Sequence, residues 1–341
     1  MDSYPLTEDE KQLIFCSSCD VVLPNVRQHL LRMISDDEHF IQNYKVDLDP
    51  EGATELIERL FAHYVDNSDC CIITTNCEHQ SVKTHWPKYT NRHITIDKYE
   101  QLVSGDQRIV DELVELTVDY STVFVYINTC QNALMMQVDN ELLLKLKNTL
   151  QLQGKTVIMV ADAVQELFLT RRDYSIFDYV VGTAHAMICN HNLGMLFRRS
   201  DRQSFDSGVD LDGKLTLFVK QMNILLKRKA KALQFKNVVS DYFSKYCPIP
   251  FEQLDTVDYA FSCTVPLKLS QKQCQVFDTL LAERFDITFS KFPNSVVIRL
   301  RAPSTVVGVN FNNEYRDSTT LSLEQGIQKT FLSIQSLVDV V

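Results

Sequence analysis

Thr156-Val157-Ile158-Met159-Val160-Ala161-Asp162-Ala163-Val164-Gln165 opens as an unbroken apolar run and stops at an aspartate. A half-buried strand alternates apolar and polar residues, whereas a continuous apolar, β-branched run suits a strand covered on both faces. Thr122-Val123-Phe124-Val125-Tyr126-Ile127 has the same character. Between the two, Asn140-Glu141-Leu142-Leu143-Leu144-Lys145-Leu146-Lys147 has helical periodicity, and Gly154 gives it a stop. Strand, helix and strand in that order imply a parallel sheet with right-handed crossovers. Working outward, Cys70-Cys71-Ile72-Ile73-Thr74 and His93-Ile94-Thr95-Ile96 are further strands, and Leu13 to Cys16 is taken as the first. The expected fold class is α/β: a mainly parallel sheet sandwiched by helices over residues 1–212, plus a small C-terminal α+β domain.

The pattern changes downstream. Leu215 to about Tyr246 reads as one long helix, ended by Pro248 and Pro250, so a linking helix is placed at 213–248. Residues 249–341 then form the small domain. Its expected elements are a strand over Asp258–Val265, a helix from the capping box at Ser270 to about Arg284, and strands at Ile287–Phe289 and Val296–Leu300. A last helix starts at Ser322. No internal repeat or low-complexity segment is seen.

Composition bounds the function classes. With 341 residues, 45% of them hydrophobic, the chain can bury a large core, and no apolar run reaches membrane-spanning length. A net charge of -10 argues against a dedicated nucleic-acid binder. The basic residues Lys220, Lys227, Arg228, Lys229, Lys231 and Lys236 read as a solvated helix face, offset by Asp206, Asp210 and Asp212. Ten cysteines without a secretion signal over Met1–Glu10 read as reduced thiols, so a cytoplasmic location is expected. Cys16 and Cys19 have C-x-x-C spacing but lack a second pair, and His185, Cys189 and His191 lack a fourth ligand, so no metal site is expected.

Val160-Ala161-Asp162-Ala163-Val164-Gln165, followed by Phe177-Asp178-Tyr179-Val180-Val181-Gly182-Thr183-Ala184-His185-Ala186, resembles the core of the class V aminotransferase and cysteine desulfurase family. That family has the fold-type-I architecture of pyridoxal-phosphate (PLP) enzymes. Its order is Asp-Ala-x-Gln, then an aspartate, then Ser-Gly-His-Lys, and the alignment needs no gap. Ile72 to Val82 resembles the strand plus Glu-His-x-(Ser/Ala)-Val that supplies a ring-stacking histidine, and Gly52-Ala53-Thr54-Glu55 resembles a phosphate-binding turn. The resemblance implies that Asp162 faces the pyridine nitrogen, Gln165 the ring hydroxyl and His79 the ring face. Thr54 and Thr183 would meet the phosphate, with His185 and Asn128 close by, and Arg299 the substrate carboxylate. It also implies a homodimer, since fold-type-I enzymes place the cofactor at a two-fold interface.

Catalysis in that family requires a lysine amine to form the imine and move the substrate proton. Its position here is Ala186, and no lysine occurs between Lys155 and Lys214. Other departures are a short stretch before Gly52, Cys189-Asn190 in place of Gly-Pro, no glycine-threonine phosphate motif after Arg199, and Arg301 in place of a small hydroxyl residue. The expectation is a catalytically inactive homologue acting through an unidentified protein partner or as a structural component, with no covalently bound cofactor. Two alternatives stay open. One is a PLP enzyme of desulfurase or lyase type, binding PLP non-covalently or carrying an introduced lysine-to-alanine change at 186. The other is a ligand sensor using the old cofactor pocket.

Overall fold

The computed structural model describes residues 21–65, 69–85, 92–131, 136–168, 170, 172–184, 192–227, 240–241, 244–245, 252–253, 260–266, 295–301 and 304–310; of these, 80, 84–85, 224–227 and those beyond 251 are described in backbone only. The chain divides into two compact units, one of Gln12–Gln131 with Gln137–Met222 and the other centred on Asn223–Val341.

In the first unit the elements run α1 (Val26–Ile34), α2 (Glu38–Asn43), β1 (Tyr44–Asp49), α3 (Ala53–Val65), β2 (Cys70–Thr75), α4 (Gln80–His85) and β3 (His93–Ile96). They continue with α5 (Tyr99–Val103), α6 (Arg108–Leu116), β4 (Thr122–Asn128), α7 (Asn140–Leu152), β5 (Thr156–Asp162), β6 (Tyr179–Thr183), β7 (Gly194–Arg199) and α8 (Asp212–Lys227), whose residues from Asn223 onward belong to the second unit. The seven strands form one sheet in the order β1-β7-β6-β5-β4-β2-β3. Neighbours pair in parallel except where β7 lies antiparallel to β1 and β6. The C-terminal ends of β1, β2, β4, β5 and β6 therefore share one edge.

Burial explains the apolar runs. Val123 through Ile127 are each fully buried, as are Met159, Val160 and Ala161. Alternate residues face opposite sides of a strand, so both faces of the sheet must be covered. One face meets α3, whose Leu56, Ile57, Leu60, Phe61 and Val65 form a helical stripe against Ile72, Phe124, Ile158 and Val181. The expected helix after β4 is α7; Asp139 caps its start by accepting from Glu141 N, and Gly154 follows its end with φ +80°.

Strands β1 and β6 were not expected. Leu13–Cys16 lies outside the described residues, whereas Tyr44–Asp49 forms the edge strand directly before Gly52. Two acidic residues disguise it. Asp47 is buried against the Arg198 guanidinium, which donates through Nε at 2.9 Å, and Asp49 pairs with Arg59 at 2.7 Å. The next turn packs hard on the sheet: a Cβ on Gly194 would lie 2.4 Å from the backbone carbonyl of Gly52, which itself has φ +104°.

Helix α8 begins at Asp212, and its continuous described stretch ends at Lys227. The second unit contains one antiparallel sheet, β10-β11-β9-β8, built from Glu252–Gln253 (β8), Ala260–Pro266 (β9), Ser295–Arg301 (β10) and Ser304–Asn310 (β11). The strands read at Asp258–Val265 and Val296–Leu300 correspond to β9 and β10. β8 and β11 were not expected. The helices read at Ser270–Arg284 and from Ser322, and the strand at Ile287–Phe289, lie outside the described residues.

Candidate functional site

The end of β5 places Asp162 beside Asn128, its partner in register at the end of β4. In open α/β sheets this carboxyl edge is where ligands bind. Asp162 is buried, and the chain itself engages both of its oxygens. The Tyr126 hydroxyl donates to Oδ2 at 2.9 Å and Val164 N donates to Oδ1 at 3.2 Å. Burial pushes its carboxyl above the usual range; the Tyr126 and Val164 hydrogen bonds and the nearby His79 ring oppose that rise.

The turn after β2 brings a second carboxyl into the same crevice. Glu78 is 4% exposed, and its Oε1 accepts from Thr75 N at 3.1 Å, Thr75 Oγ1 at 2.7 Å and Asn128 N at 3.2 Å. Burial, and then the charge of Asp162, push it up to about 8. Glu78 Oε2 and Asn128 Oδ1 are both buried without a hydrogen-bond partner among the described residues. Tyr99 closes the back of this cluster by donating to the carbonyl of Asn128 at 2.8 Å.

The remaining residues distribute unevenly. His79 is exposed, and its Nδ1 lies 2.9 Å from the Ser81 hydroxyl and accepts from Ser81 N at the start of α4. Gln165 sits half-buried on the turn after Asp162. Thr183 ends β6, and its hydroxyl donates to the carbonyl of Leu193 at 3.4 Å. Thr54 is an exposed residue of the first turn of α3. The sheet edge thus gathers Asn128, Asp162, Gln165, Thr183 and His79 at neighbouring strand ends, with Thr54 in the first turn of α3. Arg299 lies on β10 of the second unit, in register with Val306, and its side chain is outside the described residues. His185, Ala186, Cys189 and His191 lie outside them as well.

Asp178 falls elsewhere. It precedes β6, at the opposite end of that strand from Thr183, and is fully buried. It accepts from Met159 N at 2.8 Å and from Arg202 Nε at 2.9 Å, so it fastens β6 to β5. Glu78 is the residue the candidate set lacked. Its only sequence signal is its place directly before His79 at a strand end; the Asn128 N–H that bonds its Oε1 lies 50 residues further on. Among the described residues no group of three or more histidines, cysteines or acidic residues is placed to hold a metal ion, and no helix is long and apolar enough to cross a membrane.

No protein-family model and no curated sequence matches the chain. Solved structures do. A NifS-like protein from Rickettsia africae superposes with a TM-score of 0.63 at 15% identity, over 97% of this chain and 89% of that one. The chain has the fold-type-I fold of the class V-like PLP enzymes. A putative sugar aminotransferase from Streptococcus pneumoniae, in its PMP form, shares that fold with a TM-score of 0.58 at 12% identity, over 98% and 96% of the two chains. A serine palmitoyltransferase from S. paucimobilis with a bound PLP–myriocin aldimine gives a TM-score of 0.58 at 10% identity, over 97% and 83%. Identities this low speak to the fold-type-I architecture and not to its chemistry.

The resemblance would put an imine-forming amine at residue 186, a phosphate beside Thr183 and a pyridine nitrogen beside Asp162. Position 186 carries no amine. The Thr183 hydroxyl is directed to a backbone carbonyl, and both oxygens of Asp162 are already engaged by the chain.

Proposed function

We propose that this chain is a catalytically inactive relative of the class V PLP enzymes, acting through a protein partner or as a structural component, as a homodimer in the cytoplasm and with no covalently bound cofactor. The observation that carries the reading is Ala186 at the position of the imine-forming lysine, with no lysine between Lys155 and Lys214. Imine exchange and α-proton transfer both run through that amine, so its loss removes both functions. The engagement of Asp162 by Tyr126 and Val164 supports the same reading, because it makes the aspartate a member of the packed sheet edge.

The test is turnover. Purified protein equilibrated with PLP is expected to show no imine band in its visible spectrum and no transaminase, desulfurase or decarboxylase activity. Turnover of any of these kinds overturns the reading. Light scattering tests the assembly; a monomer mass at micromolar concentration rejects the homodimer.

A further inference from the structure

The edge strand β1 borders a cleft of about 430 Å³. It lies at the far end of the sheet from Asp162: Arg198, in its wall, is in register with Tyr179 at the start of β6, whose other end carries Thr183. Leu31 of α1, Ile41 of α2 and Val46 of β1 give the cleft an apolar wall. Its charged lining is three cations, Arg27, Lys45 and Arg198, and two carboxylates, Asp47 and Asp206.

The chain itself fills the carboxylates. Asp47 accepts from Arg198 Nε at 3.0 Å through Oδ1 and from Phe205 N at 2.7 Å through Oδ2. Asp206 Oδ1 accepts from Gly208 N at 2.9 Å, and its Oδ2 accepts from Arg27 Nη1 at 2.6 Å and Leu48 N at 3.2 Å. Donors are left over. Arg27 commits Nε to Asp212, and Nη1 to Asp206 and the Val46 carbonyl, which leaves Nη2. Among the described residues, the Ser204 hydroxyl accepts from Asp206 N and donates to nothing, and the exposed Lys45 amine has no hydrogen bond or ion pair. Asp47, Asp206 and Asp212 offset the two guanidinium groups, so Lys45 is the lining cation whose charge no contact matches.

We propose that this cleft binds a small organic carboxylate, held by Lys45, Ser204 and Arg27, with its apolar body against Leu31, Ile41 and Val46. The site goes beyond the inactive-homologue reading and does not depend on it. Filled acceptors and spare N–H and O–H donors select a ligand that accepts. The volume is that of a small-molecule site, in which an apolar wall and a few polar groups fix one orientation. A cation of the same shape finds no open carboxylate and meets the Lys45 charge.

Benzoate is the probe. Its controls are benzamidine, with the same ring and the opposite charge, and acetate, with the same charge and no ring. Calorimetric titration of the full chain is expected to show benzoate binding, acetate binding at least about tenfold weaker, and no benzamidine binding. Lys45→Gln, a change at an exposed residue, is expected to weaken benzoate about tenfold, the order of one charge-assisted hydrogen bond. A second measurement places the site in the unaltered protein. With benzoate at about ten times its Kd, modification of Lys45 by an N-hydroxysuccinimide ester, read by peptide mass mapping, is expected to slow about tenfold by mass action. Lys145, exposed on α7, is expected to react at an unchanged rate. Absence of benzoate binding, benzamidine or acetate bound as tightly as benzoate, undiminished affinity in Lys45→Gln, or equal protection of Lys45 and Lys145 overturns the proposal.

Discussion

The Tyr126 hydroxyl donates to Asp162 Oδ2 at 2.9 Å across the β4–β5 pair, so the aspartate expected to face a cofactor is held by its own sheet. Both side chains are buried, and burial raises both pKa values. Tyr126→Phe removes the donor and leaves a buried carboxyl oxygen unpaired. The expected loss is about 1–3 kcal/mol of unfolding free energy, read by urea denaturation. An unchanged midpoint would show that this hydrogen bond contributes nothing.

Glu78 makes stability depend on pH. Its folded pKa, about 8, lies above the ordinary carboxyl value of 4.5, so between those values the native state binds more protons than the unfolded state. The Glu78 contribution is therefore fully present below about pH 4.5 and is lost progressively as pH rises to about 8. Comparing urea midpoints of the unaltered protein and Glu78→Gln at pH 5, 6.5 and 8 isolates this contribution. The unaltered protein should lose stability relative to the variant across that series; a constant difference would contradict the assignment.

Gly194 is fixed by contact rather than by its own backbone angles. An added Cβ would lie 2.4 Å from the Gly52 carbonyl, which is backbone and cannot swing aside. Gly194→Ala is expected to destabilise the unit by about 1–3 kcal/mol, seen as a lowered Tm. Gly154→Ala, where φ is +80° and nothing lies within 4 Å, tests conformation alone and is expected to cost less.

The legible parts of this molecule are those whose local pattern and final environment agree. Val123–Ile127 and Val157–Ala161 are apolar on both faces because both faces are buried, and the sequence states this directly. Strand β1 was illegible because Asp47 and Asp49 look like surface residues until Arg198 and Arg59 are placed against them. Asp162 and Asn128 were legible as strand-end residues, since such ends line the ligand crevice of an open sheet. Glu78 was not, because its pKa is raised first by its burial in the folded chain and then by the charge of Asp162, which is remote in sequence. Asp178 was legible as part of a motif, but only its contacts with Met159 and Arg202 reveal that it fastens strands.

An amine restored at residue 186 separates the cofactor bond from the rest of the chemistry. Ala186→Lys, treated with PLP and borohydride, is expected to carry a pyridoxyl group at that lysine yet show no turnover, because the Thr183 hydroxyl stays directed to the Leu193 carbonyl. Full activity from this single substitution would mean that only the lysine had been lost.

The same covalent chemistry, applied to the unaltered protein, tests the central claim most directly. Incubation with PLP, borohydride reduction and peptide mapping is predicted to give no pyridoxyl-lysine lining the crevice at the ends of β2, β4 and β5. A stoichiometric adduct on any lysine of that crevice would show that the catalytic amine had moved rather than vanished, and the inactive reading would be wrong.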